Sequence, residues 1–139
     1  MNIQCVTHGL VTCKDKILVY KVIDSFDNKS FYRLIGGHIE FGEPASSALK
    51  REFKEEVGQD IEIVSHLESF ENIFFYKGKT KHEFLSLFKV EFIDKSIYDK
   101  DKIVGIEGPD RTFVAKWIPL IEFTENRKYL YPPKVLDYL

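Results

Sequence analysis

The sequence predicts an α+β fold, a mixed-sheet sandwich in which many strands surround one clear helix, with a second short helix near the end. Three observations predict it. β-Branched and aromatic stretches alternate with turn-forming ones along most of the 139 residues, the pattern of strands joined by tight turns. Only Pro44 to Val57 carries apolar residues at helical spacing over a convincing length. The composition, 44% apolar with twelve Phe, suits a chain that buries a core without disulfide staples and forms a single domain over residues 1–139.

Each element follows from local chemistry. Ile3 to Thr12 reads as a strand ended by the polar turn Lys14-Asp15-Lys16, and Ile17 to Ile23 as the strand that follows it. Asp24 to Ser30 is turn chemistry, since Asp and Asn bond their own backbone. Phe31 to Ile35 is extended and runs into Gly36-Gly37. The helix starts at Pro44, whose missing N–H falls where no partner exists in a first turn. It stops at Gly58, which tolerates the left-handed conformation just past a helix end. Leu49, Phe53 and Val57 form its apolar stripe. Ile61 to Phe70 and Ile73 to Tyr76 look extended, with a turn at Lys77-Gly78-Lys79-Thr80. Phe84 to Phe92 alternates as a long strand. Ser96 to Arg111 is polar and holds two Gly and a Pro, so a loop is expected. Phe113 to Ile118 is a last strand, and Pro133 to Leu139 a short terminal helix.

The charge balance, 20 Lys+Arg against 22 Asp+Glu for a net −2, argues against a grip on long nucleic acid, which needs clustered cations. No apolar run approaches the ~20 residues of a membrane span. Met1 to Leu10 lacks the basic start and apolar stretch of a signal peptide. Cys5 and Cys13 are too few for a disulfide framework and are expected as buried thiols. A cytoplasmic protein is expected.

The helix carries the chemistry. With Glu52 at zero and 100° per residue, Glu56 lies near +40° and Glu55 near −60°, so three carboxylates share an arc of about 100°. That arc borders the apolar stripe. Such like charges repel, more strongly as their surroundings dry. A hard divalent cation reverses the sign, because carboxylate oxygens are its preferred ligands. Taken alone, Lys50 to Glu56 also fits a solvated face of ion pairs, Arg51 and Glu55 standing at i,i+4.

The wider spacing decides between these. Gly37, five residues, Glu43, seven residues, Arg51-Glu52-Phe53, one residue, Glu55-Glu56, one residue, Gly58: this resembles the signature of the Nudix (MutT-like) hydrolase family. Seven identities at fixed spacing coincide by chance on the order of once in 10⁸ positions. Gly36-Gly37, Glu40 and Gly42-Glu43 resemble the family's usual lead-in. Gln59 departs from the pattern where an apolar residue is usual, and Ile61 is expected to take over its packing.

The resemblance implies a Nudix-type α/β/α sandwich and a metal-assisted attack of water on a diphosphate linked to another moiety. It implies Mg²⁺ or Mn²⁺ on Glu52, Glu55, Glu56 and the Gly37 carbonyl. Glu43 and Arg51 resemble the pair that braces loop against helix, and Gly58 the residue that closes the box. Family members take the attacking proton on a box glutamate, here Glu52 or Glu55, or on a later loop, here Glu107. Tyr76 resembles a tyrosine of dinucleoside polyphosphate hydrolases, where it stacks on a base; packing among neighbouring Phe is the competing expectation. His82 opens the long strand and either faces the phosphates or is structural. A small nucleotide substrate follows, a dinucleoside polyphosphate slightly favoured. The rivals are a nucleoside triphosphate pyrophosphohydrolase and a nucleotide-sensing module without turnover. A homodimer is a further expectation.

Overall fold

The computed structural model describes residues 2–139; Met1, at the head of the signal-peptide reading, lies outside the described residues. The chain forms ten strands and two α-helices among those residues: β1 (Ile3–Leu10), β2 (Thr12–Cys13), β3 (Lys16–Asp24), β4 (Lys29–Arg33), β5 (Ile35–His38), α1 (Ala45–Val57), β6 (Ile61–Tyr76), β7 (Lys79–Phe92), β8 (Lys102–Glu107), β9 (Arg111–Pro119), α2 (Ile121–Thr124) and β10 (Leu130–Tyr131). Short 3₁₀ helices cover Lys95–Asp99 and Pro133–Tyr138.

The strands divide between two sheets, each with one parallel pairing. The first has the order β5-β1-β7-β6, with β1 parallel to β7, and the second β10-β4-β3-β9-β8, with β10 parallel to β4 and β2 paired on β3. The class is therefore α+β with mixed sheets. One apolar core gathers under α1, where Leu49 and Phe53 meet Phe88, Val90 and Phe92 of β7 and Leu18 and Ala115 of the second sheet. The other core joins Val6, Leu85 and Leu87 of the first sheet to Ile17 and Val19 of the second, closed by Phe123 of α2 and Val135 of the terminal turn. Helices thus cover opposite sides of the strands. Ile61 is buried in the α1 core, the place expected of it in view of Gln59.

Two expectations are corrected. Residues 96–111 are not a loop: Lys102–Glu107 is a strand paired with β9, and Ile103 packs in the core. Its glycine hid it. Gly105 stands opposite Phe113, whose ring lies where a Cβ would be, so the cross-strand aromatic supplies the missing side chain. Cys5 is exposed rather than buried, because it stands in the first residues of β1, before the strand becomes buried from Val6 onward, and Cys13 is half-buried. Both thiols are free.

Candidate active site

The site begins where β5 leads through a loop into α1. Glu43 comes from that loop, and Arg51, Glu52, Glu55 and Glu56 come from the second half of the helix. Gly58 ends α1 at φ +68°, its N–H donating to the Lys54 carbonyl. One guanidinium organises the group. Arg51 Nε and Nη2 donate to the two oxygens of Glu43, each at 2.9 Å, and Nη2 also reaches the His38 carbonyl at 3.0 Å. Nη1 donates to Glu52 Oε1 at 3.0 Å and to Glu55 Oε2 at 3.2 Å. A planar fork with fixed donors suits this work, and the bidentate pair is the strong kind. The Arg51 hydrogen bonds hold the Glu43 carboxyl below its ordinary pKa.

Beside this brace lies a cavity of about 440 Å³, walled by α1 and by β1, β3, β4, β5, β7 and β8. Glu52, Glu55 and Glu56 enter it from the helix, Gly37 from β5 and Glu107 from the end of β8. The Glu52 carboxylate lies directly over Gly37, where any Cβ would overlap it, so only glycine admits this approach. Burial, and then the charges of Glu52, Glu107 and Glu55, push the Glu56 carboxyl up to about 8. Burial raises Glu52 as well, against the pull of Arg51. Crowded, partly dried carboxylates that resist ionisation are the donor set a hard divalent cation relieves. The residues present fit such an ion. Among the described residues, no three ligating side chains already close around one point, and Arg51 holds one oxygen each of Glu52 and Glu55.

The structure brings together Gly37, Glu52, Glu55, Glu56 and Glu107, with Glu43 and Arg51 as the brace behind them. It does not bring Tyr76 or His82 to this cavity. Tyr76, at the far end of β6, stands edge-on to Phe31 with ring centroids 5.9 Å apart. His82 lies opposite Ile73, its Nε2 3.6 Å from Glu71 Oε2.

Four lining residues escaped the sequence reading: His8, Tyr20, Arg33 and Glu83. His8 is buried, its Nδ1 has no partner, and burial followed by the Arg33 charge holds its pKa well below the ordinary value. Burial likewise raises the Tyr20 hydroxyl. The one sequence signal was a histidine between Val6 and Leu10 on the inward face of β1. Arg33 and Glu83 pair across 50 positions, a contact with no local signature.

Against known proteins, the model of the family described as NUDIX domain matches residues 6–139. The chain belongs to the Nudix family. It is accordingly a Nudix-type pyrophosphohydrolase, MutT-like, of a family that generally uses divalent metals. No curated protein sequence matches it. Among solved structures it resembles the E. coli ORF135 protein, with a TM-score of 0.65 and 20% identity over 97% of this chain and 85% of that one. A NUDIX hydrolase from Nitrosomonas europaea gives 0.62 and 19% over 98% and 85%. A UDP-X diphosphatase gives 0.63 and 14% over 97% of this chain but 58% of its own. These likenesses are of fold. No helix among the described residues is long and apolar enough to cross a membrane.

Proposed function

We propose that this Nudix enzyme hydrolyses the diphosphate linkage of a small nucleoside-diphosphate-linked molecule, with Mg²⁺ or Mn²⁺ held by Glu52, Glu55, Glu56 and the Gly37 carbonyl. The observation that carries the reading is the cavity that joins those groups to Glu107, with Glu56 held up to about 8 by burial and like charge. When bound, the cation supplies charge neutralisation on the phosphoryl oxygens and an acidified water. The protein's own residues do the rest. Arg51 fixes the loop against α1 and orients Glu52 and Glu55. Gly37 lets the backbone come close to the phosphates. Glu107 takes the proton of the attacking water, because Glu52 already has one oxygen committed to Arg51 whereas Glu107 makes no ion pair among the described residues. The free thiols favour a cytoplasmic setting, and a homodimer is compatible with the exposed apolar residues of the sheet faces.

The substrate within this class is open between dinucleoside polyphosphates, which Tyr76 favoured from the sequence, and other nucleoside diphosphate derivatives. A UDP-X diphosphatase among the structural neighbours widens that class beyond dinucleotides. The test is a panel of dinucleoside polyphosphates, nucleotide sugars, ADP-ribose and nucleoside triphosphates, incubated with Mg²⁺ or with chelator and resolved by mass spectrometry. Metal-dependent cleavage of the P–O–P bond is expected. Glu56→Gln should lose metal response, and Glu107→Gln should lower kcat by two orders of magnitude or so while metal still binds. No cleavage of any member, with metal bound, would return the sensing module to favour.

A further inference from the structure

The edge of the second sheet carries a surface that the hydrolytic reaction does not use. β8 ends that sheet, and among the described residues no strand pairs along its other side. Alternate residues of an edge strand turn their N–H and C=O groups outward, so β8 offers an unfilled ladder. Its side chains alternate too. Ile103 faces the core under α1, whereas Lys102, Val104 and Ile106 lie on the opposite face of the strand. Val104 is 59% exposed and Ile106, which also borders the carboxylate cavity, 56%. The ladder with β9 sets Val104 opposite Val114, itself 40% exposed, and Lys102 opposite Lys116.

This face is one-sided in charge. Lys102 and Lys116 are a like-charge pair directly across a ladder, which costs stability, and neither makes an ion pair among the described residues. The acids of β3, β4, β8 and β9 are Asp24 and Glu107. Both are engaged elsewhere: Asp24 accepts from the Lys77 N–H, and Glu107 lines the carboxylate cavity. Uncompensated lysines thus flank a strip of β-branched aliphatics in a chain whose net charge is −2.

We propose that β8 is a docking edge for an extended acidic polypeptide, which adds to the second sheet as a further strand. Such a partner answers all three features at once. Its backbone fills the outward ladder, its apolar side chains lie beside Val104 and Ile106, and its carboxylates neutralise Lys102 and Lys116. An anionic membrane answers the charge but has no ladder to offer. A second copy pairing through β8 brings further lysine and no acid to this face. Lys102 also explains selectivity, since a lysine on an edge repels basic strands and admits acidic ones. The inference is independent of the hydrolase reading.

The probe is the synthetic peptide Thr-Val-Thr-Val-Thr-Glu-Thr-Glu. In antiparallel register it sets its valines beside Ile106 and Val104 and a glutamate beside Lys102. The full chain is titrated with it while backbone amides are followed by ¹H–¹⁵N NMR. Saturable shifts centred on β8 are expected, with slowed hydrogen exchange at alternate β8 amides and an affinity that falls as salt is added. Lys102→Glu, which also relieves the Lys102–Lys116 repulsion and so keeps the fold, should weaken binding about tenfold. Val104→Thr should weaken it about threefold. A peptide with lysine in place of glutamate should bind at least about tenfold more weakly, and one N-methylated at alternate amides should not bind. Equal binding of the N-methylated or the lysine peptide overturns the proposal. So do shifts away from β8, an affinity unchanged in Lys102→Glu, or no binding of the acidic peptide. Self-association through β8, or binding to phosphatidylglycerol vesicles in place of the peptide, overturns it in favour of those occupants.

Discussion

A single residue, Glu56, shows how the site holds its charge. Its carboxyl ionises in water near 4.5 but is pushed up to about 8 in the fold. A carboxyl raised by folding favours the native state while protonated, so its contribution to stability is lost as pH climbs toward 8. Buried His8 is shifted down and acts only below its ordinary value of 6.5, and the carboxylates lowered by hydrogen bonds, such as Glu43, act only below about 4.5. The window from pH 6.5 to 8 therefore belongs to the carboxyls that burial raises, Glu56 foremost and Glu52 shifted in the same direction. Metal-free protein should melt at a progressively lower temperature across that window, and Glu56→Gln should remove most of the slope. A calorimetric series at four pH values checks it, and a slope unchanged in the variant refutes it.

At the scale of elements, α1 was the most legible part of the chain and the second sheet the least. Helical spacing, Pro44 and Gly58 set the helix bounds because each acts within a turn or two. The carboxylate arc follows from the same angular arithmetic, which is why Glu52, Glu55 and Glu56 were visible as a group before any packing was known. β8 was not legible, because Gly105 interrupts the short apolar run of Ile103, Val104 and Ile106 between polar flanks, and only Phe113 on the neighbouring strand fills the gap it leaves. Tyr76 and His82 lie outside the carboxylate cavity, a placement the sequence could not give for a related reason. Spacing along the chain cannot say which end of a long hairpin a residue reaches, and Tyr76 closes β6 well away from the helix. A local prediction tests the helix end. Gly58 has φ +68° and open space where a Cβ would stand, so Gly58→Ala meets backbone strain with no clash. It should destabilise the protein by about 1 kcal/mol, read from urea unfolding, with Gly58→Asn closer to wild type.

At the scale of the whole molecule, the proposed catalytic groups stand on elements from both sheets gathered around one core, which holds Leu49 and Phe53 of α1, Ile35 of β5 and Ile103 of β8. α1 is anchored in one core, β1 and β7 also reach the other, and Glu107 hangs on the edge hairpin β8–β9. The Arg33–Glu83 pair joins β4 of the second sheet to β7 of the first, a relation that no local pattern announces. A cation held between α1, β5 and the β8 end would therefore fasten elements of both sheets, and it binds the folded chain alone. Ligation of this kind stabilises by RT ln(1 + [L]/Kd), about 2.7 kcal/mol at a hundredfold excess over Kd. Because Glu56 is largely protonated at pH 7 without metal, binding must also displace a proton. Mg²⁺ or Mn²⁺ should raise the melting temperature by several degrees, and titration calorimetry in two buffers of different ionisation enthalpy should show proton release that fades above pH 8. Glu56→Gln should abolish the release together with most of the affinity. Binding with no proton release at pH 7 would place the cation away from Glu56 and break the link between charge, metal and fold.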